Sequence, residues 1–275
     1  MQLRTKIAAS AAAASAVVLA LTLHYTKDDG QIRGLPNASV SQPVVEMKPI
    51  TGDQKTVEAG RNARLDAFFA SLERDGSTAP MYQAIREEFP ERYAEIKSTV
   101  RQEMESSQPP ADPEARVVQL TRESLDGFKE LVRQSSDESL RKVAAAQYSL
   151  LTTLALKDPA ACGRYASEGG GMTMPDSPNV MRAVIGLATV QIHAAGDAAR
   201  SPKKRDAPAP AVFTRLVQMM KADGISDEQV MALGSGKLAT LQVEDQCRVA
   251  ISTYHAALGM PPADAGVLLA AIIRN

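Results

Sequence analysis

No tryptophan occurs in the sequence, aromatic residues make up only 4% of it, and no long stretch alternates apolar with polar side chains. These absences argue against a sheet, which draws on aromatic and β-branched residues at period two, whereas the recurrent Ala, Leu, Met, Glu and Arg favour helices. All-α is the predicted fold class. Charge of one sign is equally scarce. A formal net charge of −1 offers no field for gathering a polyanion, so no nucleic-acid partner is expected. With only three histidines and two cysteines, the chain has no C-x-x-C or H-E-x-x-H spacing. No metal, cofactor-binding or catalytic set is therefore assigned.

A long apolar run stands at the N-terminus. The segment "IAASAAAASAVVLALTL", Ile7 to Leu23, follows Arg4 and Lys6 and precedes Lys27, Asp28 and Asp29, the layout of an export signal. Small pairs suited to a signal peptidase, such as Ala14 with Ala16, lie before the most apolar stretch "VVLALTL", and His24, Tyr25, Thr26 and Lys27 after it do not suit cleavage. No cysteine follows the run, which argues against a lipoprotein. At ~1.5 Å per residue it spans roughly 25 Å, a little short of a ~30 Å hydrocarbon core, and Leu3 and Tyr25 can extend it. The sequence predicts a retained single-span anchor over 7–25 with a cytoplasmic stub over 1–6. Everything after it would be extracytoplasmic, which in a bacterium means the inner membrane and the periplasm. Ser10 with Ala14, and Ala11 with Ser15, provide four-residue spacing on which the anchor can form a homo-dimer.

Residues 26–54 are interrupted throughout by Gly, Pro, Ser and Asn and read as a flexible tether. A helical hairpin is expected over 55–107. Its inner faces are Val57, Leu65, Phe68, Phe69 and Leu72, then Met81, Ile85 and Phe89, then Tyr93, Ile96, Val100 and Met104, with a break at Pro90. After "SSQPPADP", a compact all-helical domain of six or seven helices is expected over 112–275, as a bundle or orthogonal array. Asp112 before Pro113 and Asp158 before Pro159 pair an N-cap with a proline in the first turn. Ser135 with Glu138 has the spacing of a capping box ahead of Leu140, Val143, Gln147, Leu150, Leu151 and Leu154.

Several patterns invite chemistry and are better read as structure. "GSGK" at Gly234 to Lys237 has Met231 where a phosphate-binding loop needs glycine and Leu238 where it needs Ser or Thr, so Gly234 and Gly236 are expected to end one helix and turn into the next. Asn179, Arg182, Gly186, Thr189 and His193 form a polar stripe along the most apolar helix. It reads as a solvent edge, with His193 favoured by the helix C-terminus. "RSPKKR", Arg200 to Arg205, reads as a solvated loop. Glu244, Arg248, Ser252 and His255 share one helix face, where Glu244 and Arg248 form a surface pair, and Ser252 with His255 would make a triad only if a bent geometry joined them and another chain segment oriented the imidazole.

Cys162 and Cys247 are the sharpest prediction. Both lie in the part that the anchor would export, and Cys247 shares an apolar face with Val243, Ile251, Tyr254 and Leu258. They are expected to form one structural disulfide, whose loop of about 85 residues is worth roughly 4.6 kcal/mol on chain entropy. The resulting expectation is a membrane-anchored extracytoplasmic interaction or scaffold protein of the cell envelope, engaging an envelope protein partner and carrying no cofactor. The alternative is an envelope hydrolase or lytic enzyme sited near the Gly169–Gly171 loop, with Glu168 and Asp176 as acid and base.

Overall fold

The computed structural model describes residues 54–273 apart from 75, 77, 107, 109, 111–112 and 170–176, and at 54–59, 61–62, 113–115 and 118 it describes the backbone alone. The expected anchor over 7–25, its Ser10/Ala14 and Ala11/Ser15 faces, the tether up to 53, the Asp112 cap and Asp176 all lie outside the described residues. Among those described there is no strand, and no helix is long and apolar enough to cross a membrane. The helices are α1 (Gln54–Leu72), α2 (Ala79–Glu88), α3 (Pro90–Glu105), α4 (Pro113–Arg133), α5 (Asp137–Lys157) and α6 (Pro159–Glu168). They continue with α7 (Pro178–Arg200), α8 (Pro210–Ala222), α9 (Asp227–Gly234), a 3-10 turn (Leu238–Thr240), α10 (Val243–Gly259) and α11 (Pro262–Ile272).

The region expected to form a hairpin contains three helices. Phe89 leaves the helical region (φ −138, ψ 63) ahead of Pro90, so α2 and α3 are separate rods. Tyr93, Ile96, Val100 and Met104 of α3 are all buried, as their spacing requires, and so are Leu65 and Phe69 of α1. These helices share one hydrophobic cluster with the rest of the chain. α2 packs on α7 and α3 on α4, and the Phe89 ring stacks on Phe128 with centroids 4.3 Å apart.

Among the described residues from Pro113 onward there are eight α-helices, one or two more than expected, because the capped turn at Ser226 extends into α9. The centre of the fold is α5, which contacts α6, α7, α10 and α11. Leu140, Val143, Leu150, Leu151 and Leu154 on it are buried. α7 runs antiparallel beside it, its last turns reaching the start of α5, and it packs also on α4 and α2.

The cap of α5 falls one residue later than predicted. Ser135 is buried and donates its hydroxyl to Val132 O, closing the end of α4. Ser136 is the extended N-cap instead, its Oγ accepting from Ser139 N–H at 3.2 Å. The role given to Glu138, taking the N-cap's own N–H, belongs to Asp197 of α7. Asp158 behaves as predicted, accepting Ala161 N–H at 2.9 Å to start α6.

The buried seam of α10 is rotated from the expected face. Gln246, Cys247, Val249, Ala250, Thr253, Ala256 and Ala257 are buried, whereas Val243, Ile251, Tyr254 and Leu258 are only half-buried at its edges. Small side chains let α6 and α10 approach so closely that a Cβ on Gly163 would stand 2.1 Å from Val243 O. Across this contact Cys162 Sγ and Cys247 Sγ are 2.04 Å apart, the bonding distance of a disulfide, with Cα atoms 5.2 Å apart.

Candidate functional site

Gly234 and Gly236 do what their spacing suggested. α9 ends at Gly234, Gly236 takes φ +66, Gly236 N–H bonds Leu233 O and Lys237 N–H bonds Ala232 O, the paired bonds of a Schellman turn.

The charged features turn out to be ties between helices. "RSPKKR" is exposed from Arg200 to Lys204, as a solvated loop should be, but its last residue is not. Arg205 is 7% exposed and donates to Arg133 O at 2.9 Å, to Ser135 O and to Asp137 Oδ1, while Lys203 Nζ pairs with Asp137 Oδ2. The segment is thus strapped over the α4–α5 junction. Burial works against the Asp137 charge, but Lys203 and Arg205 hold its carboxyl below the usual range.

His193 does not owe its place to the helix end, since α7 continues two turns beyond it to Arg200. Its Nδ1 lies 2.9 Å from Glu88 Oε1, and Arg200 donates to Glu88 Oε2. Glu88 is at the end of α2, so this cluster fastens α2 to α7. Within α10, by contrast, Arg248 pairs with Asp245 at 2.8 Å rather than with Glu244, the carboxylate one turn back at three residues being the nearer.

Sequence reasoning placed Ser252 and His255 together but missed Asp223, which lies beyond the end of α8 and carries no local signal for them. Ser252 is buried and donates to Asp223 Oδ2 at 2.9 Å, and His255 Nδ1 lies 3.0 Å from the same oxygen. A nucleophile relay needs the imidazole to accept the hydroxyl proton, with the carboxylate behind it. Here the carboxylate lies between the two. His255 lowers the Asp223 pKa, with burial opposing and Ser252 adding to the effect, so the carboxylate is a weakened base. His255 also stacks on Tyr148, with centroids 6.0 Å apart. The cluster binds α8 to α10.

Of the pair proposed for hydrolysis, Glu168 is exposed in the last turn of α6, while Gly170, Gly171 and Asp176 lie outside the described residues. Among the described residues no His, Cys, Asp and Glu cluster could hold a metal ion.

The remaining feature is a groove of about 530 Å³ between α5 and α7. Asn179, Arg182 and Gly186 of the polar stripe are exposed along it, with Thr189 half-buried and bonded to its own backbone at Ile185 O. The other wall is α5, whose contribution the stripe could not reveal. Leu156 stands on that wall with 86% of its surface exposed. Among the described residues the fold and this groove define an all-helical, disulfide-joined body with an open interhelical trough. Comparison with protein-family models, with curated proteins and with solved structures found no match for it.

Proposed function

We propose that the chain is a membrane-anchored, extracytoplasmic interaction module of the cell envelope, held by the segment over 7–25, spaced by the tether over 26–54 and engaging an envelope protein through its helical part. The observation that carries the reading is the Cys162–Cys247 pair. Both residues are buried, they are joined to each other, and no other cysteine exists in the sequence. Such bonds persist in oxidising compartments and are rare where thiols are kept reduced. The interaction role is supported by where the polar side chains are spent: Glu88, Asp137, Asp197 and Asp223 each bridge two elements of the fold, while the α5–α7 groove remains open.

The test is thiol counting on the full chain in intact cells. Blocking free thiols, then reducing and mass-tagging, is expected to add two tags to a protein found in the membrane fraction, with its helical part open to protease added to spheroplasts. Two thiols that block before reduction, on a protein recovered from the soluble cytosol, would overturn the reading.

A further inference from the structure

We propose that the α5–α7 groove seats an amphipathic α-helix of a partner protein, small and apolar along about three turns and ending in carboxylates over Lys157 and Arg182. This rests on the reading of the chain as an interaction module and names what its binding face accepts.

The shape points to a helix. The α7 wall runs from Asn179 to Val190, roughly 17 Å at ~1.5 Å per residue, which is three turns. The floor is made of short side chains, Ala146, Ser149 and Thr153 from α5 with Ala183 and Gly186 from α7, so a third rod can approach both backbones closely. Leu156, Leu187 and Val190 supply apolar contact along it. A trough open along its length would leave one side of an acyl chain in water, whereas an amphipathic helix turns its polar side outward.

Gly186 keeps the α7 wall low. An interior glycine weakens a helix relative to alanine. At Gly163 the close approach of α10 explains it, but a Cβ on Gly186 would meet nothing within 4 Å. Packing within the chain does not call for a glycine there, nor at Gly60 of α1, so Gly186 leaves the α7 wall clear without itself indicating what covers it. Gly127 on α4 has the same freedom without lining the groove.

Charge sets the direction. Lys157 and Arg182 line one end, and neither forms an ion pair with a described carboxylate; Arg182 donates to Asn179 Oδ1 at 3.3 Å. α7 begins at this end and α5 finishes there, so their opposed dipoles offset and the two cations set the sign. The matching end of a visiting helix is its C-terminus, where the dipole is negative and Asp or Glu adds to it. The visitor would therefore run parallel to α5 and antiparallel to α7.

The test uses the full-length chain in the cells it comes from, with a photoreactive benzoylphenylalanine placed at Ser149 or Leu156 in the groove, or at the exposed Glu228 or Met231 on α9. Adducts from the groove positions are expected on one protein, at residues spaced three and four apart in a segment with acidic residues at its C-terminal end. The Ser149 adduct should fall at least tenfold with Gly186→Leu and at least threefold with Lys157→Glu and Arg182→Glu together, a change on the surface that leaves the fold's own ion pairs intact. Groove adducts with phospholipid, with a second copy, with residues 1–53 of the same chain, or with a segment lacking that pattern would overturn the proposal. So would protein adducts from α9 alone, which would leave the interaction role standing. If no position on either face gives a protein adduct, the interaction role falls with it.

Discussion

Asp197 of α7 accepts the backbone N–H of Ser136 at 2.9 Å and the Ser139 hydroxyl at 2.8 Å, so the first turn of α5 is capped by a side chain from another helix. The Ser136 bond lowers the Asp197 pKa, with burial opposing and the two serine hydroxyls assisting. A carboxyl held below its ordinary value stabilises the fold above that value and loses its effect as pH falls through the depressed one, here below roughly pH 4. Asp197→Ala is expected to cost about 1–3 kcal/mol in urea unfolding at neutral pH. The gap between variant and parent should close as the pH is lowered through that window; a gap that persists in full at pH 2 would show that the carboxylate's charge is not what caps α5.

That same contact shows where the sequence stops being informative. A capping box is a local device, and Ser135 with Glu138 has its spacing, but the oxygen that takes the N-cap's N–H comes from a residue 61 positions away. Inner faces such as Tyr93, Ile96, Val100 and Met104 are legible because burial repeats with the helix turn. The rotated seam of α10 was not. Large apolar side chains marked Val243, Ile251, Tyr254 and Leu258 as the core face, whereas the buried seam is built of smaller ones, Ala250, Ala256 and Ala257 among them, and Gly163 of α6 meets α10 at Val243. The groove was half legible for a related reason. Asn179, Arg182 and Gly186 mark one wall, but the register that brings Ala146, Ser149 and Leu156 opposite them is set by α5 meeting α7.

Arg205 belongs to the same class of long-range tie. Its guanidinium reaches two carbonyls at the α4–α5 junction and Asp137, at 7% exposure. Arg205→Met removes these charge-assisted bonds and leaves Asp137 with Lys203 alone, at an expected cost of about 2–3 kcal/mol. Lys204→Ala, whose exposed side chain is neighbour to the same strap, should change stability by less than about 0.5 kcal/mol. Chemical denaturation of the two variants side by side decides whether the basic run is a strap or a solvated loop. Equal midpoints would favour the loop.

The disulfide and the glycine beside it can be separated. Replacing Cys162 and Cys247 together by alanine reopens a loop of sequence separation 85 in the unfolded chain, and chain entropy puts the loss at about 4.6 kcal/mol. Gly163→Ala leaves the bond's atoms in place but drives a methyl to 2.1 Å from the Val243 carbonyl oxygen, forcing α6 and α10 apart at a cost of about 1–3 kcal/mol. Unfolding with and without reductant distinguishes the two effects. The Gly163 variant should still lose stability on reduction, whereas the double alanine variant should be indifferent to it.

Glu88 tests whether the N-terminal helices are held on the main bundle by charge or by packing alone. Its carboxylate ends α2 and meets His193 and Arg200 of α7, with 13% of the side chain exposed. Burial raises its pKa, but the hydrogen bonds from Arg200 and His193 outweigh it and the net shift is downward. The stabilisation is therefore present above the ordinary carboxyl value and disappears as pH falls through the depressed one, below about pH 4. Glu88→Gln keeps the shape and removes the charge, and is expected to cost about 1–2 kcal/mol at neutral pH. Because Phe89 stacks on Phe128 next to it, apolar contact survives the substitution, so the helices should loosen rather than detach. Amide hydrogen exchange gives the local readout: faster exchange confined to α2 and the facing turns of α7 supports the tie, and unchanged protection there would assign the docking to the aromatic stack.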